Sequence, residues 1–147
     1  YEGEYLNGKR NGKGKEYYKN GTIKFEGEYL NGKRWNGKGY NIRYVLVYEI
    51  KNGKGKIKDF YDDGILKYEG EYLNGKGMEF DKEIGRLKFI GSYINGKRNG
   101  KGKEFYTNGK LSFEGDYLYG KRWNGKTYDI FGNLVCENIN GHEIRNK

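Results

Sequence analysis

Apolar and polar residues alternate along this chain in short runs. In residues 22–30 (TIKFEGEYL), Ile23, Phe25, Gly27 and Tyr29 fall on one side, and Lys24, Glu26, Glu28 and Leu30 on the other. A period of two with β-branched and aromatic residues predicts a strand. Asn31-Gly32 follows, and because both residues tolerate positive φ the pair predicts a hairpin turn. Residues 13–18 (KGKEYY) read as a second strand, and Asn20-Gly21 as the next turn. No stretch holds a helical period over a useful length. The pattern predicts an all-β chain of β-hairpins, about two strands each.

The pattern repeats. The phrase [YF]EGEYLNGK starts at Tyr1, Phe25 and Tyr68, with looser copies at Phe89 and Phe113 and a degenerate unit at Tyr48. The steps are 24, 23, 20, 21 and 24 residues, so the array runs over 1–147 with units starting near 1, 25, 48, 68, 89 and 113. A longer period lies above it: residues 1–59 align with 89–147 at an offset of 88, with 34 identities. Such an array is expected to draw its stability from stacking between neighbouring units. The only two tryptophans, Trp35 and Trp123, occupy equivalent places in the long period. Set against GKRNGK at 8–13 and 96–101, each reads as one extra residue in a glycine-rich turn. Gly3, Gly27, Gly70, Gly91 and Gly115 recur on the aromatic side. A glycine inside a strand weakens it unless something needs the room. These glycines are read as slots over which a ring from a neighbouring strand lies. On the other side, glutamates of EGE can meet lysines of KGK across strands.

The run Tyr1-Glu2-Gly3-Glu4-Tyr5, then Asn7-Gly8-Lys9, then Gly12-Lys13-Gly14 resembles the MORN repeat (membrane occupation and recognition nexus), whose pattern is Y-x-G-x-W/Y-x-x-G followed by G-x-G. Five recognisable copies carry the resemblance over nearly the whole chain. The unit at 48 lacks the opening glycine, the unit at 68 lacks its RNGK segment, and the last 35 residues drift. The resemblance implies an elongated, single-layer, twisted antiparallel sheet of tandem hairpins. It also implies a non-catalytic role in scaffolding, self-association or membrane-proximal attachment.

Composition narrows this picture. Leu, Ile, Val and Phe together make 30 of 147 residues, a poor supply for a round core. Sixteen tyrosines favour order, because each buries a large area. Twenty-six glycines and no proline suit a chain of many turns. The net charge of +9 comes from lysines interleaved with glutamates, which favours solubility and weak attraction to anionic surfaces. A single cysteine, Cys136, excludes an intrachain disulfide and a Cys-rich metal site. The longest apolar run, YVLVY at 44–48, is far short of a membrane span. Tyr1 opens inside a repeated motif, so the sequence is expected to be an excerpt of a longer protein.

Gly120-Lys121-Arg122-Trp123-Asn124-Gly125-Lys126-Thr127 fits the phosphate-loop pattern G-x-x-x-x-G-K-[ST]. That chemistry needs a strand before the loop and a helix after it. The residues that follow have strand and turn character, and the equivalent stretch ends in Gly39 where the hydroxyl is needed. A coincidence of repeat drift is the better reading. Glu26 and Glu28 recur among lysines as a charge ladder rather than an acid–base pair. His142 and Cys136 align with Lys54 and Tyr48, a surface position and a packed strand position. Asn20-Gly21-Thr22 fits the glycosylation pattern, but its counterpart is Asn108-Gly109-Lys110. No catalytic residue, cofactor, metal or small-molecule substrate is read from the sequence, and nucleic acid is not favoured as a partner.

The basic turns carry more. Arg10, Arg34, Arg98 and Arg122 follow a lysine in the same turn of four units, expected ~10 Å apart along one edge of a stacked sheet. With Trp35 and Trp123 they form the candidate interaction surface. The leading reading is a non-enzymatic scaffold for protein–protein interaction or self-association. The first alternative is a peripheral membrane module binding anionic lipid headgroups through these turns, and the second a surface glycan- or wall-binding repeat. The tryptophans are expected to fold back over the next unit. The expected location is the cytoplasm or the cytoplasmic face of a membrane.

Overall fold

The computed structural model describes residues 1–145; Asn146 and Lys147, the last positions of the expected array, lie outside the described residues. The described residues form fourteen β-strands and no helix, so none is long and apolar enough to cross a membrane. The chain divides into two compact units, Tyr1–Tyr72 and Leu73 onward. Unit 1 holds β1 (Glu2–Leu6), β2 (Lys9–Tyr17), β3 (Ile23–Leu30), β4 (Lys33–Tyr40), β5 (Leu46–Ile50), β6 (Lys56–Phe60) and β7 (Leu66–Glu71). Unit 2 holds β8 (Gly75–Phe80), β9 (Leu87–Ile94), β10 (Lys97–Phe105), β11 (Leu111–Leu118), β12 (Lys121–Tyr128), β13 (Leu134–Ile139) and β14 (His142–Arg145). All pairing is antiparallel between strands adjacent in sequence. β13 and β14 form a hairpin in the drifted segment, where the repeat pattern had marked no unit start.

Turn chemistry produces this order. Asn7-Gly8, Asn31-Gly32, Asn95-Gly96 and Asn140-Gly141 all have positive φ at both positions. The residues flanking each pair face one another across the hairpin, as in Leu30↔Lys33. Two-residue turns of this kind match the natural twist of paired strands. Each turn is also tied to the hairpin before it. The Gly32 N–H donates to the Arg10 carbonyl and Gly53 to Trp35, while in unit 2 Gly120 donates to Arg98 and Gly141 to Trp123, each at 2.8 Å. Beside these bonds, the side-chain oxygens of Asn11, Asn36, Asn99 and Asn124 accept the N–H of the neighbouring turn residue, Asn31, Asn52, Tyr119 and Asn140.

Glycines line up across the strands. Gly3 faces Gly14, Gly14 faces Gly27, and Gly27 faces Gly37 in unit 1. In unit 2 the row is Gly77, Gly91, Gly102, Gly115 and Gly125. Phe25 lies over Gly37, Phe89 over Gly102 and Phe113 over Gly125, so a Cβ on any of these glycines would stand 2.6–2.7 Å from the ring. The glycines covered by a phenylalanine from the neighbouring strand are thus Gly37, Gly102 and Gly125, on the second strand of their hairpins, and not the expected Gly3, Gly27, Gly70, Gly91 and Gly115. The first-strand glycines meet backbone first: a Cβ on Gly27 would stand 2.1 Å from the Asn36 carbonyl oxygen and 2.6 Å from the Gly37 Cα. The rings over this row are the core. Phe25, Phe89 and Phe113 are fully buried, and Tyr29, Tyr93 and Tyr117 meet them edge-on.

The ladder in unit 1 does not run unbroken. β5 is the last strand of a five-stranded sheet; beyond it the chain folds back through the bridge Lys51↔Lys54, with Gly55 against the Glu49 carbonyl oxygen, and does not continue the ladder. β6 leaves β5 to deliver Ile57 into the buried cluster of Phe25, Tyr29, Tyr48 and Ile50. The corresponding strands of unit 2, β13 and β14, stay zipped by four residue pairs.

Gly27→Val is expected to lower stability by at least ~1–3 kcal/mol, since the new side chain must displace partner backbone rather than a flexible side chain. Chemical denaturation checks this. An unchanged midpoint would show that the glycine row is not under steric constraint.

Candidate interaction surface

The four arginines fix the character of both sheet faces. Across the hairpins, Tyr5 faces Arg10, Tyr29 faces Arg34, Tyr93 faces Arg98 and Tyr117 faces Arg122. Residues opposite one another share a face, so each guanidinium is carried onto the aromatic side. Arg10 sits 4.2 Å from the Tyr1 ring centroid, Arg34 4.7 Å from Phe25, Arg98 4.1 Å from Phe89 and Arg122 4.6 Å from Phe113. A cation over a ring face is attracted by the ring quadrupole, and more strongly when water is excluded.

For Arg34, Arg98 and Arg122 a carboxylate from the preceding hairpin closes the arrangement. Glu16 on β2 accepts two bonds from Arg34, from Nε and Nη2 at 2.9 Å each, and one from the Tyr29 hydroxyl at 2.7 Å. Glu104 on β10 does the same for Arg122, at 3.0 and 2.9 Å, and for the Tyr117 hydroxyl. Glu79 on β8 holds Arg98, at 2.7 and 3.1 Å, and the Tyr93 hydroxyl at 2.6 Å. Arg10 lies 3.4 Å from Glu16, and Arg98 3.3 Å from Glu104. Paired N–H···O bonds of this kind are the strong form of the ion pair. Arg34 also bonds the Tyr48 hydroxyl at 2.7 Å and reaches Asp59 on β6 at 3.4 Å.

This corrects the expected edge of free basic turns. Arg34 is 7% exposed. Arg10, Arg98 and Arg122 are partly covered and ion-paired. Sequence reasoning missed Glu16, Glu79 and Glu104 as their partners. The signal was available: each lies two residues after a row glycine, Gly14, Gly77 or Gly102, and so on the aromatic side.

Burial alone would push the Glu16 carboxyl up. The hydrogen bonds and charge of Arg34, with the Tyr29 hydroxyl and Arg10, outweigh it and hold the pKa at about 2. Glu79 and Glu104 are opposed by burial in the same way. Their arginines and tyrosines overcome it, and both are lowered. The tyrosine hydroxyls move the other way. Burial first, then the adjacent Glu16 or Glu104, pushes Tyr29 and Tyr117 well above their ordinary value.

Trp35 and Trp123 are not extra residues. Four positions separate Arg10 from Gly14, and Arg98 from Gly102; only three separate Arg34 from Gly37, and Arg122 from Gly125. The tryptophan hairpins thus carry the shorter bulge: Trp-Asn stands where the others have Asn-Gly-Lys. Each ring lies on the next turn, as packing over the neighbouring unit would have it. A Cβ on Gly53 would stand 2.8 Å from Trp35, and one on Gly141 3.1 Å from Trp123. Trp35 remains 37% exposed.

The opposite face carries the lysine–glutamate ladder expected from the alternation. Lys15 faces Glu26, Glu26 faces Lys38, and Lys38 faces Glu49. In unit 2, Lys103 faces Glu114, which faces Lys126, which faces Glu137. Over the glycine row this face holds a shallow groove of about 460 Å³ in unit 1 and about 630 Å³ in unit 2. Lys126, the lysine of the phosphate-loop match, is a member of this ladder, and residues 121–128 are strand β12 leading to strand β13. Cys136 is buried and His142 exposed. Among the described residues no group of three or more His, Cys, Asp or Glu could hold a metal ion.

A carboxyl with a lowered folded pKa stabilises the fold above its unfolded pKa, and that contribution is lost as pH falls through the folded value. For Glu16 the window runs from about 4.5 down to about 2, and the contribution at neutral pH is of order 3 kcal/mol. Glu16→Gln is expected to destabilise by about that amount at pH 7 and to flatten stability against pH across the window. Urea titrations at several pH values check this; a parallel curve for the variant would contradict it.

With this geometry in hand, comparison with known proteins is specific. The MORN repeat model matches residues 1–23 and 89–110, and the MORN repeat variant matches residues 52–74. No curated protein matches the chain. The first two matches span the hairpins β1–β2 and β9–β10 with the turn that follows, and the third spans β6–β7. The Tyr-x-Gly strand, Asn-Gly turn and Gly-x-Gly strand that recur through the fold are one module, and the chain carries MORN repeats.

Proposed function

We propose that this chain is a non-enzymatic scaffold that engages protein partners, in the cytoplasm or at the cytoplasmic face of a membrane. The observation that carries the reading is the placement of the arginines. Arg10, Arg34, Arg98 and Arg122 are committed to Glu16, Glu79 and Glu104 and to ring faces. Releasing one to a lipid phosphate would leave a partly buried carboxylate unpaired, a strongly destabilising exchange. What the sheet offers outward is a face of alternating lysine and glutamate. Such a face suits a partner with its own charge pattern better than a uniformly anionic membrane.

The same placement weighs against the membrane alternative, since the residues meant to carry it are occupied within the chain. The glycan alternative needs open aromatic platforms, whereas the Trp35 and Trp123 rings lie on Gly53 and Gly141. Trp35 and Trp123 contribute to the surface chiefly by setting the next turn.

Changing all four arginines to glutamine separates scaffold from membrane module. If the arginines are structural, the variant unfolds at markedly lower denaturant, and wild-type protein shows neither co-sedimentation with phosphatidylserine vesicles nor a change in tryptophan fluorescence. Vesicle binding that fades with salt, shifts the fluorescence to the blue and disappears in a still-folded variant would replace the scaffold reading with the membrane one.

A further inference from the structure

One strand of unit 2 departs from a rule that its sister strands keep. Acids flank the row glycine in Glu2-Gly3-Glu4, Glu26-Gly27-Glu28, Glu69-Gly70-Glu71 and Glu114-Gly115-Asp116, but β9 carries Ile90-Gly91-Ser92. Ile90 and Ser92 stand where the first copy of the long period has Glu2 and Glu4. Successive residues of a strand point to opposite faces, so both changes fall on the outward face.

The groove over the glycine row changes sign as a result. In unit 1 its charged lining is Glu2, Glu26 and Glu28 against Lys13 and Lys15. Each lysine is answered there: Lys15 lies between Glu2 and Glu26, and Lys13 faces Glu28. In unit 2 the charged lining is Lys76, Lys101 and Lys103 against Glu114 alone. Lys101 reaches Asp116 at 3.6 Å with its own side chain 91% exposed, and a pair so open to water holds weakly. Lys103 lies between Ile90 and Glu114 and forms no ion pair among the described residues.

The two walls of this groove also differ from each other. Lys76 faces Ser92, and Met78 faces Ile90. Lys103 faces Ile90 from the other side, which sets Lys101 on the side of Ser92. One wall is therefore Lys76, Ser92 and Lys101; the other is Met78 and Ile90, with Lys103 at its end. The floor between them is the backbone of Gly91, Gly102 and Gly115. Ile90 is 39% exposed, so the apolar wall is open to a partner.

An extended chain laid along this floor sends alternate side chains to opposite walls. If its residues alternate acidic and apolar, the carboxylates meet Lys76 and Lys101 while the apolar side chains meet Met78 and Ile90. We infer that the β8–β11 groove of unit 2 docks an extended partner segment of alternating acidic and apolar residues. Three strand intervals make the floor ~14 Å long, room for about four extended residues. So small a footprint makes the binding weak, and exposed lysines make it salt-sensitive. The groove of unit 1 keeps its acid pair and repels the same segment. The inference rests on the scaffold reading and gives the chemistry of one partner.

Fluorescence anisotropy on the intact chain tests it with a labelled peptide of alternating glutamate and leucine. Saturable binding that weakens with salt is expected. Two control peptides are expected to bind at least about tenfold more weakly: one with glutamine for glutamate, and one with the same residues regrouped as an acidic block and a leucine block. Restoring the acid pair with Ile90→Glu and Ser92→Glu is expected to weaken binding by about tenfold or more. Four other strands carry that pair, so the fold accommodates it, and circular dichroism checks this. Lys101→Gln, at an almost wholly exposed position, supplies a second variant and is expected to weaken binding about threefold. No saturable binding, equal binding of either control peptide, or a double variant that binds as wild type would overturn the inference. Salt-sensitive binding to phosphatidylserine vesicles, lost in the same double variant, would assign the groove to lipid and remove the scaffold reading with it. Failure of the peptide to bind, without vesicle binding, would strike this inference alone and leave the scaffold reading open to other protein partners.

Discussion

Glycine facing glycine across a hairpin is the constraint on which the rest depends. With no side chain at either position, the two strands bring their backbones together closely enough that even a methyl group at Gly27 would collide with Asn36. The second glycine then leaves a bare patch of backbone, and the phenylalanine two residues before the first glycine lies over it. A guanidinium from the same hairpin settles over that ring. That cation is then within reach of a carboxylate on the hairpin before. Packing, charge pairing and the link between successive hairpins thus follow in one chain of cause from a pair of glycines.

Electrostatically, the result is a division of labour between the two kinds of basic residue. The turn arginines Arg10, Arg34, Arg98 and Arg122, planar and able to bond a carboxylate while stacking on a ring, are drawn to the aromatic side. Lysine stays on the other face, where it alternates with glutamate. The net charge of +9 therefore overstates how basic any one surface is. The bonds among Glu16, Tyr29 and Arg34 join residues of successive hairpins, so they couple neighbours in the way expected of a repeat array. An interaction surface on such a body is supplied by the outward ladder, the turns and the strand edges.

The two copies of the long period show how the same plan admits local change. In the second copy, Cys136 and Asn138 stand where the first has Tyr48 and Ile50, and Thr127 replaces Gly39. In the first, the Tyr48 ring covers Gly39 and its hydroxyl meets Arg34. There Arg34 is also reached by Asp59, and β6 leaves the ladder to bring it in. In the second, β14 remains paired with β13. A few side chains at one strand thus decide whether the ladder continues or ends.

Much of this was legible in the sequence because it is local. Alternation over residues 22–30 gave the strand and its two faces, and Asn-Gly gave the turn, since φ at two adjacent positions decides the hairpin. The recurrence of Gly3, Gly27, Gly91 and Gly115 marked a steric requirement, although it took the structure to show that the first obstacle is backbone. The destination of the arginines was not legible. Alternation counts faces only along an unbroken strand, and the bulge between Arg34 and Gly37 shifts the count by one, so Arg34 joins the aromatic face through its pairing with Tyr29. The tryptophans misled for the same reason, because an alignment sees an insertion where the three-dimensional register has a deletion. Sequence by itself determined the hairpins, their turns and their repetition, which depend on neighbours in the chain. Only the tertiary structure decided which charges are buried and where the ladder breaks at β5. Those depend on side chains from different hairpins meeting across the sheet.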